Sequence, residues 1–190
     1  MQFDSKQDKG FPPTSSVNKG KGGILSRISV GKCVLFCAVA LVWLALDIAS
    51  KAYANSFARG EVFAGPFAGL FQLRLAHNTG AAWSMFSGST LTLAVIAAIV
   101  LVVLLVLVAL FSSRITWLEA SSLGLVFAGG IGNALDRFTL GYVVDFIQTL
   151  FISFPTFNVA DIGVTCGVIL FALSFVSRTL KEDSFSKKGN

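Results

Sequence analysis

The sequence predicts an all-α membrane protein of four transmembrane helices, with a small extracytoplasmic β element between spans one and two. Three observations carry this. Of 190 residues, 54% are hydrophobic and 13% charged, with a mean hydropathy of +0.76, against about 25% charged residues in an average soluble domain. From Leu75 to Ser113 there is no Asp, Glu, Lys or Arg. Most of the basic residues lie towards the two chain ends and in one short connection.

Residues 1–28 are rich in Lys, Gly, Ser and Pro, a composition that buries too little apolar surface to order itself, so a flexible cytoplasmic tail is expected there. The membrane domain follows over 29–180, and 181–190 forms a second cytoplasmic tail. At this length one helical bundle uses nearly the whole chain. The first span, about Val30 to Ala54, has a basic start and an apolar run, but its length and its polar end, Asp47 and Lys51, argue for a retained signal-anchor helix. The second contains Leu91 to Phe111, 21 residues, enough to cross a ~30 Å hydrocarbon core at ~1.5 Å per residue. The third runs from near Trp117 to about Leu135 and carries glycines that allow close helix approach. The fourth runs from about Asn158 to Val176.

Eleven Lys and Arg residues fall before or at the very start of span one, between spans two and three, or after span four. Arg59, Arg74 and Arg137 fall on the opposite side, with Lys51 at the end of span one. The positive-inside rule therefore puts both termini in the cytoplasm and both longer connections outside. Connection 55–88 mixes β-branched and aromatic residues with Gly and Pro, which suggests a hairpin or small sheet at the interface. Connection 136–157 carries Asp136, Arg137 and Asp145 among aromatics and is expected to dip into the headgroup layer. The basic pI of about 9.3 is explained by this membrane topology, so no nucleic acid is expected as a partner. Cys33, Cys37 and Cys166 lie in apolar stretches without a disulfide or zinc spacing.

Charged groups near the bilayer core cost ~2.5 to 3.5 kcal/mol even on lenient scales, so each needs a reason. Asp47, Lys51, Asp136, Arg137, Asp145 and Asp161 all fall near one predicted face, joined by Asn78, Asn133 and Asn158. Two neighbouring carboxylates that share a proton can activate water against an amide. A proton or ion relay would use the same residue type, and spacing alone leaves both readings open. The sequence holds no HExxH, no phosphate loop, and no partner pattern for a Ser or Cys nucleophile around its single histidine, His77; His77 reads as an interfacial residue. Asp47 and Lys51, four apart, share a helix face and can pair with each other or with Arg137 and Asp136. Asp136 beside Arg137 reads as a fixed ionised brace. Asn133 and Asn158 can both donate and accept, and Gly80 after Asn78 leaves room for an extended backbone.

Four stretches, DIASK (47–51), NTGAAWSMF (78–86), GGIGNALDRFTLGYVVDFI (129–147) and FNVADIGVTCG (157–167), together resemble the lipoprotein signal peptidase family, in the family's order and over most of the membrane body. The resemblance implies an aspartic endopeptidase of the bacterial inner membrane that removes signal peptides from diacylglyceryl-modified prolipoproteins, cutting before the lipidated Cys. It puts the catalytic pair on Asp145 and Asp161. Asp47, Lys51, Asn78, Gly80, Asn133, Asp136, Arg137 and Asn158 become substrate-binding or site-supporting residues. Lipidated prolipoproteins and membrane lipids are then the partners, no metal or organic cofactor is needed, and a monomer is sufficient. The competing classes are a small proton-coupled transporter, which would spread its polar groups through the membrane thickness, and a noncatalytic binder of lipidated proteins, which would tolerate loss of one carboxylate.

Overall fold

The computed structural model describes residues 28–80 and 89–188, the side chains of 182–188 excepted. Among the described residues four helices are long and apolar enough to cross a membrane: α1 (Val30–Ala54), α2 (Thr90–Phe111), α3 (Trp117–Thr139) and α4 (Val159–Lys188), the last over Val159–Lys181. The chain is a multi-pass membrane protein of mostly helical fold. The tail expected over residues 1–28 lies almost wholly outside the described residues, as do Trp83 and the rest of 81–88. At the other end α4 continues as helix through Lys188, where a tail was expected from 181. The apolar window sets the length of a span, whereas helical hydrogen bonding continues past it wherever no breaker intervenes.

The α3 helix is the hub, packing on α1, α2 and α4, and more of it is buried than of the others. Small residues permit this. A Cβ on Gly129 would collide with the backbone of Ala160 at the start of α4, and one on Gly132 with the carboxylate of Asp47 on α1. These two absences let three helices meet at one level. The N-terminus of α3 is fixed by a capping box in which Thr116 Oγ1 accepts from Glu119 N at 3.1 Å and Glu119 Oε2 accepts from Thr116 N at 2.8 Å. Glu119 is fully buried there, with Arg178 at 3.6 Å.

A three-stranded antiparallel sheet, β1 (Val62–Phe67), β2 (Phe71–Asn78) and β3 (Val143–Thr149), in the order β1-β2-β3, sits beside the bundle. The expected hairpin between spans one and two is β1–β2. The second connection does not simply dip towards the interface: it supplies β3, paired with β2 in the register Ala76 to Asp145 and Asn78 to Val143. Its VVDF run lacks polar alternation because all four residues are buried. Ala54, Leu75, Val144 and Phe146 form the apolar core between sheet and bundle. Phe157 then pairs back onto Ile147, with Phe157 N to Ile147 O at 3.1 Å and the reverse bond at 2.8 Å. This fold-back brings residue 158 alongside β3 just before α4 begins.

Candidate active site

The last two turns of α1, the last two turns of α3, β3 and the first turn of α4 converge at one end of the bundle, and there the charged residues singled out in the sequence meet. They fall into two groups with different surroundings.

Asp145 is 2% exposed on β3. Its Oδ1 accepts from Asn158 Nδ2 at 2.7 Å and its Oδ2 from Asn78 Nδ2 at 3.0 Å. Asp161 stands in the first turn of α4; its Oδ1 accepts from Asn133 Nδ2 at 2.8 Å and its Oδ2 from the backbone N–H of Asn158 at 3.1 Å. Asn158 therefore touches both carboxylates, and its own Oδ1 accepts from Asp161 N at 3.0 Å. Neither carboxylate forms an ion pair with a described residue. Burial pushes the Asp145 carboxyl up to about 7, the charge of Asp161 adding to the rise and the two amide hydrogen bonds and Lys51 opposing it.

The second group is centred on Lys51, whose side chain is 5% exposed. Its ammonium lies 2.8 Å from Asp47 Oδ2 and 3.2 Å from Asp136 Oδ2, and it donates to Asn133 Oδ1 at 3.0 Å. Asp47 Oδ1 accepts from Ala160 N at 2.8 Å, so it satisfies a backbone donor in the first turn of α4. Asp136 Oδ2 also accepts from Val144 N at 3.1 Å. Asp136 and Arg137 lie on the last turn of α3 rather than in the loop after it, and Asp136 is not braced by its neighbour as the sequence suggested. Adjacent positions on a helix point about 100° apart, so Asp136 turns to Lys51. Arg137 turns to the Gly80 carbonyl, to which Nη2 donates at 3.1 Å, and to Asn133 O, to which Nη1 donates at 3.2 Å.

Asn133 links the groups. Its Oδ1 accepts from both Lys51 Nζ and Asn158 Nδ2, each at 3.0 Å, which leaves its Nδ2 for Asp161. With two donors aimed at the oxygen, the opposite amide orientation would set N–H groups against N–H groups. Asn78 serves Asp145 and also closes its own turn by accepting from Gly80 N at 3.0 Å. Its side chain is thus committed within the site.

Two cavities open on Asp145. One, of about 510 Å3 and mostly apolar, includes Asn133, Arg137 and Asp161 and extends along α4 past Ile162 and Cys166. The other, about 550 Å3 and mostly polar, is bounded by Arg59, His77 and Ser153. The segment Phe154–Pro155–Thr156 borders both. His77 packs its ring on Tyr142 at 3.9 Å between centroids, with Nε2 3.1 Å from Asn55 Oδ1. Burial, and then the positive charge of Arg59, hold its pKa below the ordinary value. The sequence reading missed Trp43, whose indole Nε1 donates to Val159 O at 3.0 Å and anchors α4, and it gave no role to Arg59. An indole donor close to the polar end of an apolar helix was the available signal for Trp43. No group of three metal-ligating side chains occurs among the described residues.

Residues 39–177 match the model of the family described as Signal peptidase (SPase) II. Curated relatives include the lipoprotein signal peptidase of Dehalococcoides mccartyi, 42% identical over 59% of this chain and 71% of that protein. That of Gloeothece citriformis is 37% identical over 80% of this chain and 96% of that protein. A solved bacterial membrane enzyme, determined by the in meso method at 2.3 Å resolution, is 30% identical and superposes with a TM-score of 0.69 over 80% of this chain and 92% of that one.

Proposed function

The chain belongs to the signal peptidase II family, multi-pass bacterial membrane peptidases that cleave signal peptides from prolipoproteins, and we propose that it does so as an aspartic endopeptidase with Asp145 and Asp161 as its catalytic pair. The observation that carries the assignment is the environment of these two carboxylates. They share the border of one cavity, are joined through Asn158, and are held by neutral amides rather than by cations. A carboxyl that must take and give a proton near neutrality needs such surroundings, because a lysine at contact distance would lock it ionised.

Asp145, raised towards about 7, carries the proton in the resting pair and donates a hydrogen bond to the scissile carbonyl. Asp161 takes a proton from the attacking water as the water's oxygen bonds to the carbonyl carbon. The tetrahedral intermediate then collapses as the C–N bond breaks and the leaving nitrogen receives a proton from the pair, which restores the starting state. The pair titrates as a unit, so the apparent constants belong to both residues. Arg137, bonded to Gly80 and Asn133, borders the same cavity and fixes its polar end.

The substrate reading follows from the apolar cavity. It runs along α4 from the carboxylates into the span, where the apolar part of a signal peptide and the acyl chains of a diacylglyceryl group remain in lipid. The cut falls before the lipidated Cys. Both termini lie in the cytoplasm, with the sheet and carboxylates at the outer face, in keeping with the distribution of basic residues. The domain body spans 29–180, and a single chain holds every group named above, so a monomer suffices.

The test is incubation of the purified protein with a diacylglyceryl-modified prolipoprotein and with its unlipidated form, in water enriched in 18O. The expected result is cleavage of the lipidated form alone, with one 18O entering the new carboxyl terminus. Cleavage of neither form overturns the assignment.

A further inference from the structure

Both cavities reach Asp145, but they differ in lining and in place. The apolar one follows α4 into the membrane span, whereas the polar one is bordered by the end of β2 and by residues 153–156, outside the spans. A chain lying across Asp145 therefore runs from an apolar compartment to a polar one. Of the two, only the polar one has Arg59 in its wall.

Arg59 is held out on a built turn. Glu61 N donates to Ala58 O at 2.9 Å, and Gly60 adopts φ +86°, a conformation suited to glycine. Glu61 Oε2 accepts from Ala58 N at 2.8 Å, and Arg74 Nε donates to Gly60 O at 3.0 Å. Gly60 N donates to Leu75 O at 2.9 Å, tying the turn to β2. Glu61 and Arg74 are thus occupied by backbone groups, and Arg59 forms no ion pair among the described residues. The facing groups oppose its charge little: His77 is held towards its neutral form, and Asp145 at the floor keeps its proton below about pH 7.

We infer that the polar cavity is the subsite for the first residues on the carboxyl side of the scissile bond, and that Arg59 gives it a preference for acidic side chains there. This rests on the peptidase reading above and adds a selectivity to it. The first residue after the cut is the lipidated Cys, whose acyl chains stay in lipid, so the second and third residues are the ones that enter the cavity, and a charge contact with the exposed Arg59 supports discrimination of about 5-fold.

The experiment compares kcat/KM for three lipidated precursors that differ only at those two positions, carrying Asp, Asn or Lys at both, with the wild-type protein and with Arg59→Gln and Arg59→Glu. Ratios between substrates are read within each protein, which cancels differences in the amount of folded enzyme. The wild type is expected to favour the Asp precursor over the Lys precursor by about 5-fold or more, with the Asn precursor between. Arg59→Gln flattens the series and Arg59→Glu inverts it; rising salt weakens the wild-type preference. No wild-type preference, or a preference that Arg59→Glu leaves in place, overturns the selectivity while the peptidase reading stands. If the wild type cuts none of the three, the peptidase reading falls and the selectivity with it.

Discussion

Four aspartates end up at one level of this bundle, and the two pairs they form are built for opposite purposes. Asp47 and Asp136 share Lys51, at 2.8 and 3.2 Å, and each also accepts a backbone N–H, from Ala160 and Val144 respectively. Asp145 and Asp161 sit beside them and are met by Asn78, Asn133 and Asn158. The same side chain is thus held by an ammonium in one place and by neutral amides in the other. Asn133 connects the pairs, because Lys51 fixes the orientation of the amide that Asp161 accepts from.

The largest effect expected from disturbing this arrangement, short of changing the dyad itself, comes from Asn158. Among the described residues it alone hydrogen-bonds to both Asp145 and Asp161, so Asn158→Ala is expected to lower kcat by about 10²-fold, the scale of lost general acid–base positioning, with a smaller change in KM. Wild-type kcat in that variant would show that the two carboxylates need no common tether.

Lys51→Ala tests the clamped pair. Removing the cation leaves Asp47 and Asp136 uncompensated, which for a buried pair costs about 3–5 kcal/mol, read as a lower midpoint of thermal unfolding in detergent. Turnover per folded molecule should fall only about 10-fold, through the loosened Asn133 amide. A stability equal to wild type would contradict the structural role.

A smaller effect is the dependence on pH. The folded-state pKa of Asp145 lies above its unfolded value, 3.8 rising to about 7, so the folded protein binds the extra proton. Its contribution to stability is complete below about pH 4 and is lost as pH rises through about 7. Asp145→Asn should flatten that slope between about pH 4 and 7 in unfolding measurements. In the wild type the ionisation of the pair sets the alkaline limb of kcat/KM, with an apparent constant near 7. An activity that rises steadily past pH 8 would remove Asp145 as the proton carrier.

Much of this was legible in the sequence where solvent dictates structure. Long apolar runs fixed α1 and α2 nearly to the residue, since lipid leaves backbone groups no partner but their own helix. The convergence of Asp47, Lys51, Asp136, Asp145 and Asp161 at one end followed from counting spans. Pairings were less legible. Sequence adjacency suggested Asp136 with Arg137, whereas helix geometry sends them to different neighbours. The strand β3 was hidden because burial of Val143, Val144, Asp145 and Phe146 removes the alternation by which a half-exposed strand is recognised. Arg59 carried no motif at all; its place on the cavity wall depends on a turn tied to β2 through long-range hydrogen bonds.

The most direct measurement sets Asp145→Asn, Asp161→Asn, Asp47→Asn and Asp136→Asn side by side on one lipidated precursor, with turnover normalised to folded protein. The account predicts no detectable cleavage by the first two in their folded fraction; normalisation matters there because each new amide N–H faces a donor that the carboxylate accepted. It predicts roughly a tenth or more of wild-type turnover by the last two, with lowered thermal stability as Lys51 loses a counter-charge. Cleavage by either Asp145→Asn or Asp161→Asn, or complete loss in a fully folded Asp47→Asn or Asp136→Asn, would contradict the division between the two pairs.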